Sequence, residues 1–166
     1  MRVGDFVIRP IHPLETPALV EMARGTEAFK AIEIQALEEV LEDYHQHNAS
    51  LGHRAIALKR DGKTLGFAYF AEAAMTDRTW SLWWIVVERQ SQASGVGGHM
   101  LRYVEDSVRA AAGRQLLIET SSLPKYELTR RFYLKNGYRQ VAAVPNYYAD
   151  GDDMLFFGKR MGAGMK

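Results

Sequence analysis

Gly95, Gly97 and Gly98 close the run Val87-Glu88-Arg89-Gln90-Ser91-Gln92-Ala93-Ser94-Gly95-Val96-Gly97-Gly98, between an apolar stretch at 83–87 and an amphipathic one at 100–112. Strand, glycine-rich turn and helix in that order aim several backbone N–H groups at one anion. The first helical turn leaves its amides without intrahelical acceptors, and the helix dipole adds partial positive charge there. Glycines remove the Cβ that would keep a phosphate off the main chain. The chemistry this suits is pyrophosphate binding. A Walker loop is excluded, because His99-Met100 stands where Lys-Ser/Thr would close it. The Gly-x-Gly-Gly spacing also departs from the Gly-x-Gly-x-x-Gly of a dinucleotide fold. The competing reading is a flexible Gly/Ser loop leading into a helix.

Two further side chains have proton chemistry. Tyr133 carries a phenol of pKa near 10, protonated at neutral pH and able to donate to a departing group. Its other role would be that of a core aromatic beside Phe132 and Tyr138. Glu119 follows Leu116-Leu117-Ile118, a run with little polarity, so its carboxylate is expected to be partly desolvated and raised toward neutrality, as a general base requires. A structural hydrogen bond to a neighbouring helix is the alternative. Glu88 is the rival acid, expected to be solvated where the chain leaves the sheet. No cysteine is present, which excludes thiolate nucleophiles, disulfides and thiolate metal sites. No serine sits in a nucleophile setting. Histidines 12, 45, 47, 53 and 99 show no metal-ligand spacing beyond His45-Gln46-His47, and no metal is expected.

The elements that must position these groups can be read in turn. A strand at 6–10 stops at Pro10, and helices are expected over 14–24 and 29–46, the second with the stripe Ile32, Leu37, Val40, Leu41, Tyr44. Strands at 55–59 and 64–74 flank the hairpin signal Asp61-Gly62, and a strand at 79–87 feeds the glycine loop. A helix over 98–112 ends at Gly113, and a strand over 116–120 and a helix over 125–136, stopped by Gly137, follow. Two last strands, at 138–143 and 154–159, flank a loop at 145–153. Trp80, Trp83 and Trp84 are expected to pack on sheet faces. The fold class is α/β (α+β): a mixed, mostly antiparallel sheet of about seven strands with helices on both faces.

The 166 residues are read as one domain, residues 1–166, large enough to bury a core. At 47% hydrophobic and 25% charged, with a formal charge of +1, the composition is that of a soluble globular protein without a basic stripe. Arg130-Arg131, beside Lys125 and Lys135, reads as a solvated helix face, so no nucleic-acid partner is expected. No apolar run approaches the ~18 residues of a membrane span, and no signal peptide is evident. A cytoplasmic location is expected.

The run Gln92-x-x-Gly95-x-Gly97 resembles the coenzyme A loop of the GNAT superfamily of N-acetyltransferases, written R/Q-x-x-G-x-G/A, in which a valine stands where Val87 does. Arg131-Phe132-Tyr133-Leu134-Lys135-Asn136-Gly137-Tyr138 is similar to that family's lYeklGF signature, and the order of elements matches along the whole chain. The resemblance implies acetyl-CoA as donor. It places the pyrophosphate on Gln92, Ala93, Ser94, Gly95, Val96, Gly97 and Gly98, and the pantetheine along the backbone of Ile85, Val86 and Val87 and against Tyr126 and Tyr133. Two positions depart from the family: Gln92 replaces a common arginine, keeping hydrogen bonding but dropping a charge, and Tyr126 replaces the usual asparagine.

By the same resemblance Tyr133 lies beside the thioester and acts as leaving-group acid. Glu119 corresponds to a glutamate that acts with that tyrosine in ribosomal N-terminal acetyltransferases, given about two extra residues in Ser121-Ser122-Leu123-Pro124. The base position of histone-type enzymes is Ser81, which cannot serve alone, and a water-relayed path stays open. Asn146-Tyr147-Tyr148, followed by Asp152-Asp153-Met154, is similar to the C-terminal hairpin of ribosomal-protein and peptide N-terminal acetyltransferases. An acceptor site is therefore expected between the first helices and the final hairpin, with Glu33, Glu38, Tyr147, Tyr148 and Asp150 suited to a cationic amine.

The expected activity is acetyl transfer to a primary amine, on a small molecule or a peptide N-terminus, directly within a ternary complex. A non-catalytic acyl-CoA-binding domain on the same fold is the alternative, and would be indifferent to Tyr133. Homodimers through the late strands are a further implication.

Overall fold

The computed structural model describes residues 5–162. Its elements are β1 (Val7–Pro10), α1 (Thr16–Gly25), α2 (Ala31–Gln46), β2 (Arg54–Arg60), β3 (Lys63–Glu72), β4 (Thr79–Val87), α3 (Val96–Ala110), β5 (Gln115–Ser121), α4 (Glu127–Lys135), β6 (Arg139–Ala149) and β7 (Asp152–Arg160). Seven strands form a sheet in the order β1-β2-β3-β4-β5-β7-β6. β4 and β5 pair in parallel, whereas β1–β2, β2–β3, β5–β7 and β6–β7 are antiparallel. The mixed, mostly antiparallel sheet is the one expected from the element order. Among the described residues no helix is long and apolar enough to cross a membrane. The chain groups into two compact units, one holding the residues up to Ala71 with Trp84–Val104, the other Glu72–Trp83 with the residues from Glu105 onward.

In the first unit, α1 buries Leu19, Val20 and Ala23, and α2 buries Ile34, Leu37, Leu41 and Tyr44, against Ala55, Ala57, Phe67, Tyr69 and Val86. Ile32, expected in that stripe, is 73% exposed. It lies two positions, about 200° around the helix, from Ile34, which takes the core place. Trp84 packs against Phe29, ring centroids 5.3 Å apart. Gly66 lets α3 and β4 close on β3: a Cβ there would lie 2.7 Å from the Val86 carbonyl oxygen and 2.8 Å from Met100 Cε. Met100 can yield but the carbonyl cannot. Gly66→Ala is expected to destabilise the protein by about 1–3 kcal/mol in urea unfolding, with the m-value unchanged.

In the second unit the β4–β5 ladder runs from Thr79↔Gln115 to Leu82↔Ile118. Trp80 is buried, while Trp83, on the same strand, is 44% exposed. The end of the α3 helix differs from expectation. The left-handed residue is Ala112 (φ 59°), with Ala112 N bonded to Arg109 O and Gly113 N to Val108 O. Gly113 is needed for space instead: a Cβ there would lie 2.3 Å from Val108 Cγ1 and 2.8 Å from Trp80 Cδ1.

The expected loop at 145–153 is instead the tip of the β6–β7 hairpin, whose turn is Asp150-Gly151 between the paired Ala149 and Asp152. An Asp-Gly dipeptide between strands is a hairpin signal in its own right. Pairing skips from Val144↔Met154 to Ala149↔Asp152, so residues 145–148 bulge out of β6. Asn146 makes this turn in the left-handed region (φ 56°), its Oδ1 accepting from Gly151 N at 2.8 Å and its own N–H donating to Asp153 Oδ1 at 2.8 Å.

Candidate active site

In the first unit, β4 ends in a short 3₁₀ turn, Arg89–Ser91, and then the glycine loop. Ala93 (φ 65°) and Gly95 (φ 90°) both take left-handed conformations, which swing the chain from strand direction into helix direction. The first helical bond of α3 runs from His99 N to Gly95 O at 3.1 Å, so α3 starts at Val96, two residues before the expected Gly98. The amides of Val96, Gly97 and Gly98 precede that bond and have no acceptor within the helix. No acidic residue occupies the first turn. The loop thus offers an anion open N–H groups at the positive end of a 15-residue helix. Gln92 is exposed, and one N–H of its Nε2 donates to Val87 O at 3.2 Å and braces the loop. Ser94 likewise donates to Ser91 O.

Glu88 is not solvated as expected. Its carboxylate accepts from Ser91 Oγ at 2.9 Å and pairs with Lys63 Nζ at 3.1 Å, with 13% of the side chain exposed. Val86 is buried, and Ile85 and Val87 are half-buried at the end of β4. Glu33, an expected acceptor contact, sits in the first turn of α2, where its Oε1 accepts from Lys30 N at 2.7 Å and caps the helix start.

In the second unit, Tyr133 lies on the inner face of α4, 3% exposed, its ring 5.6 Å from Phe132, 6.1 Å from Tyr138 and 6.0 Å from Phe157. Gly137 (φ 91°) ends α4 by bonding Leu134 O, while Tyr138 N bonds Tyr133 O at 3.0 Å. This pair of bonds holds the last turn, and Tyr133 with it. Among the described residues nothing hydrogen-bonds the Tyr133 hydroxyl. Burial pushes its pKa above that of a free phenol, so it holds its proton and can act only as a donor or neutral acceptor. Arg130 anchors α4 to the end of β5 through Ser121 O at 2.8 Å and Leu123 O at 2.9 Å. Arg130 is therefore a structural donor, whereas Arg131 pairs with Glu127 on the surface. Tyr126 ends the 3₁₀ turn Pro124–Tyr126 ahead of α4, with Lys125 Nζ 5.1 Å from its ring centre.

Glu119 is exposed, not desolvated as expected. The strand alternation buries Leu116 and Ile118 and turns Glu119 outward. Its partner was not legible in advance: Tyr148 Oη donates to Glu119 Oε2 at 2.8 Å. The bulge in β6 sends Tyr148 back toward the end of β5, and Tyr147 meets it edge-on at 5.1 Å between ring centroids. Desolvation first, and then the bond to Glu119, raise the Tyr148 pKa, so this phenol too stays protonated. Side-chain bonds tie the hairpin to β5: Ser121 Oγ donates to the buried Asp152, and Ser122 Oγ accepts from Asp153 N at 2.9 Å. Tyr147, Tyr148 and Glu119 therefore form a group in which Oε2 of the carboxylate is held and Oε1 has no hydrogen bond among the described residues. Asn146 was the available signal, since asparagine tolerates the left-handed turn that makes the bulge.

Residues 52–140 match the acetyltransferase (GNAT) domain family model. An uncharacterised N-acetyltransferase of Methanocaldococcus jannaschii is 28% identical over 76 residues, 46% of this chain and 48% of that one; the chain thus aligns with about half the length of this curated relative. A solved chain from Desulfovibrio desulfuricans assigned to the GNAT family of acetyltransferases superposes with a TM-score of 0.90 at 28% identity, covering 95% of this chain and 99% of that one. The PaiA N-acetyltransferase of Thermoplasma acidophilum, solved with coenzyme A, has the same fold at 15% identity, with a TM-score of 0.73 over 94% of this chain and 99% of that one. With open helix-start amides behind β4, a buried phenol on α4 and a family match over more than half its length, the chain belongs to the GNAT acetyltransferase family.

Proposed function

We propose that the protein transfers an acetyl group from acetyl-CoA directly to a primary amine, on a small molecule or a peptide N-terminus, in a ternary complex and in the cytoplasm. The observation that carries this reading is the start of α3, where three amides without helical acceptors follow the left-handed Ala93 and Gly95. That arrangement fits a pyrophosphate, with Gln92, Ala93, Ser94, Gly95, Val96, Gly97 and Gly98 as its cradle. Ile85, Val86 and Val87 lie in the part of β4 that runs past the ladder ending at Leu82↔Ile118, and offer strand-like backbone groups to the pantetheine. Tyr126 and Tyr133 are assigned to the same arm.

Bound acetyl-CoA supplies the activated acyl group. Tyr133 donates a hydrogen bond to the departing sulfur, and Glu119, with Tyr148 on one oxygen, receives the ammonium proton on the other. Glu33 and Tyr147 are assigned to the acceptor's surroundings. A homodimer contact along β6, exposed at every residue from Arg139 to Ala149, belongs to the same reading.

Calorimetric titration with acetyl-CoA, CoA and ATP tests the donor site. CoA and acetyl-CoA are expected to bind at micromolar levels while ATP competes poorly. Gly97→Asp is expected to weaken CoA binding about 100-fold or more, because it sets a carboxylate against the pyrophosphate in a site built from amide dipoles. Absence of CoA binding to folded wild-type protein would overturn the reading. Thiol release against spermidine and an alanyl tripeptide then separates the two acceptor classes.

A further inference from the structure

The glycine loop has no side-chain cation of its own, since Gln92 stands at its head and its amide is bonded to Val87 O. Beside it lies a group of three basic side chains from two elements. Arg102 reaches back along α3, as helical side chains do, and its Nη1 and Nη2 lie 3.4 and 3.9 Å from where a Cβ on Gly98 would be. His99, three residues before it, meets the ring of Phe6 at 4.4 Å, and the Arg60 guanidinium, at the end of β2, covers the same ring at 4.4 Å.

The two guanidinium charges are uncompensated among the described residues. Among the described residues no carboxylate pairs with Arg60, His99 or Arg102. The other cations near the loop are paired: Lys63 with Glu88 at 3.1 Å, and Arg89 with Glu27 at 3.5 Å. Arg60 also keeps its Nε buried without a hydrogen-bond partner. Desolvation, then Arg102 and Arg60, lower the His99 pKa, so the imidazole stands uncharged at neutral pH beside the two guanidinium groups, as a hydrogen-bonding group and not a third cation. Cations gathered at the positive end of a helix oppose its dipole and repel each other. Such an arrangement opposes stability in the free protein and is relieved by an anion. Gly98 leaves the Arg102 guanidinium beside the bare backbone of the helix start, with no side chain between them.

We propose that Arg102 and Arg60, with His99 between them, form a subsite for a phosphate monoester dianion, the 3′-phosphate on the adenosine of coenzyme A. The assignment rests on the CoA reading above, which places the pyrophosphate on the backbone amides of the loop. A second, dianionic phosphate in reach calls for side-chain cations, and guanidinium groups are the matching donors.

Calorimetry with CoA and with 3′-dephospho-CoA, on wild type, Arg102→Gln and Arg60→Gln, tests it. Wild type is expected to bind CoA about tenfold or more tightly than dephospho-CoA, the order of effect for charge-assisted hydrogen bonds at a partly exposed site. Each variant is expected to bring CoA toward the dephospho-CoA affinity while leaving dephospho-CoA binding unchanged, and the wild-type preference should shrink with added salt. Arg102 is exposed, so its variant reports binding rather than folding. Equal wild-type affinity for the two ligands, or variants that weaken both alike, would overturn the subsite and leave the CoA reading standing. Binding of neither ligand would remove both.

Discussion

Tyr133→Phe is expected to lower kcat by about 100-fold or more while leaving CoA affinity and thermal stability unchanged. The separation of effects follows from where the hydroxyl sits. Its ring is packed among Phe132, Tyr138 and Phe157 and is 3% exposed, and phenylalanine preserves that packing. The hydroxyl itself has no hydrogen-bond partner among the described residues, so removing it breaks no internal bond. Deleting an unpaired polar group from an apolar site is neutral or slightly stabilising.

The catalytic loss has a different origin. Burial holds the phenol pKa above its ordinary value, and a phenol is already a weaker acid than a thiol. In the proposed reaction Tyr133 therefore contributes chiefly as a preorganised hydrogen bond to charge building on sulfur, where low dielectric makes such a bond worth most. A burst-free steady-state assay with acetyl-CoA, alongside calorimetry and a melting curve on the same variant, checks all three quantities. Unchanged turnover would return Tyr133 to the role of a core aromatic, whereas CoA binding with no turnover in the wild type itself would favour the non-catalytic acyl-CoA binder.

What could be read in the sequence divides along a physical line. The glycine loop was legible because a backbone that must turn through left-handed conformations and leave amides bare restricts its own residues. The same holds for Gly137, whose positive φ closes α4 behind Tyr133. Side-chain partnerships across many residues were not legible, because periodicity and local propensity do not encode them. Tyr148 reaches Glu119, 29 positions away, only through a bulge created by Asn146 and Asp153. Glu88 looked like a surface acid until Lys63 and Ser91 closed on it. Glu119 looked buried because its strand neighbours are apolar, although strand alternation turns it out. Arg102 is ordinary in sequence; that its guanidinium lies over Gly98 follows from the backward lean of helical side chains and is visible only in the fold.

Glu105 shows most sharply what an amphipathic pattern hides, and it carries the largest expected effect on stability. It lies on α3 with the buried Leu101 four residues before it and Val108 three after it, and is itself only 5% exposed. Its Oε2 accepts from Tyr138 Oη at 2.7 Å and from Lys159 Nζ at 3.2 Å, and Arg109 stands 4.0 Å from Oε1. Lys159 also donates to Asn136 O at 3.0 Å, at the end of α4. One carboxylate thus joins α3, β7 and the segment that ends the Tyr133 helix. Burial, then the bond to Glu105, keep Tyr138 protonated far above the ordinary phenol range, so this donor persists at any working pH.

Glu105→Ala is expected to destabilise the protein by about 3 kcal/mol, the lower end of the range for breaking a buried pair, since Lys159 keeps partial access to water. Glu105→Gln, which keeps an acceptor for Tyr138 but not the charge, should cost roughly 1–2 kcal/mol. The decisive variant is the triple Glu105→Leu, Lys159→Met, Tyr138→Phe, which removes Glu105 together with both of its hydrogen-bond donors and leaves only the part-buried Asn136 carbonyl without the Lys159 bond and Arg109 without its 4.0 Å ion partner. Urea unfolding should place it within about 1 kcal/mol of wild type, because the cost of Glu105→Ala is mainly the unpaired partners left behind. Equal destabilisation in the triple and single variants would instead mean that Glu105 contributes attraction well beyond its own desolvation.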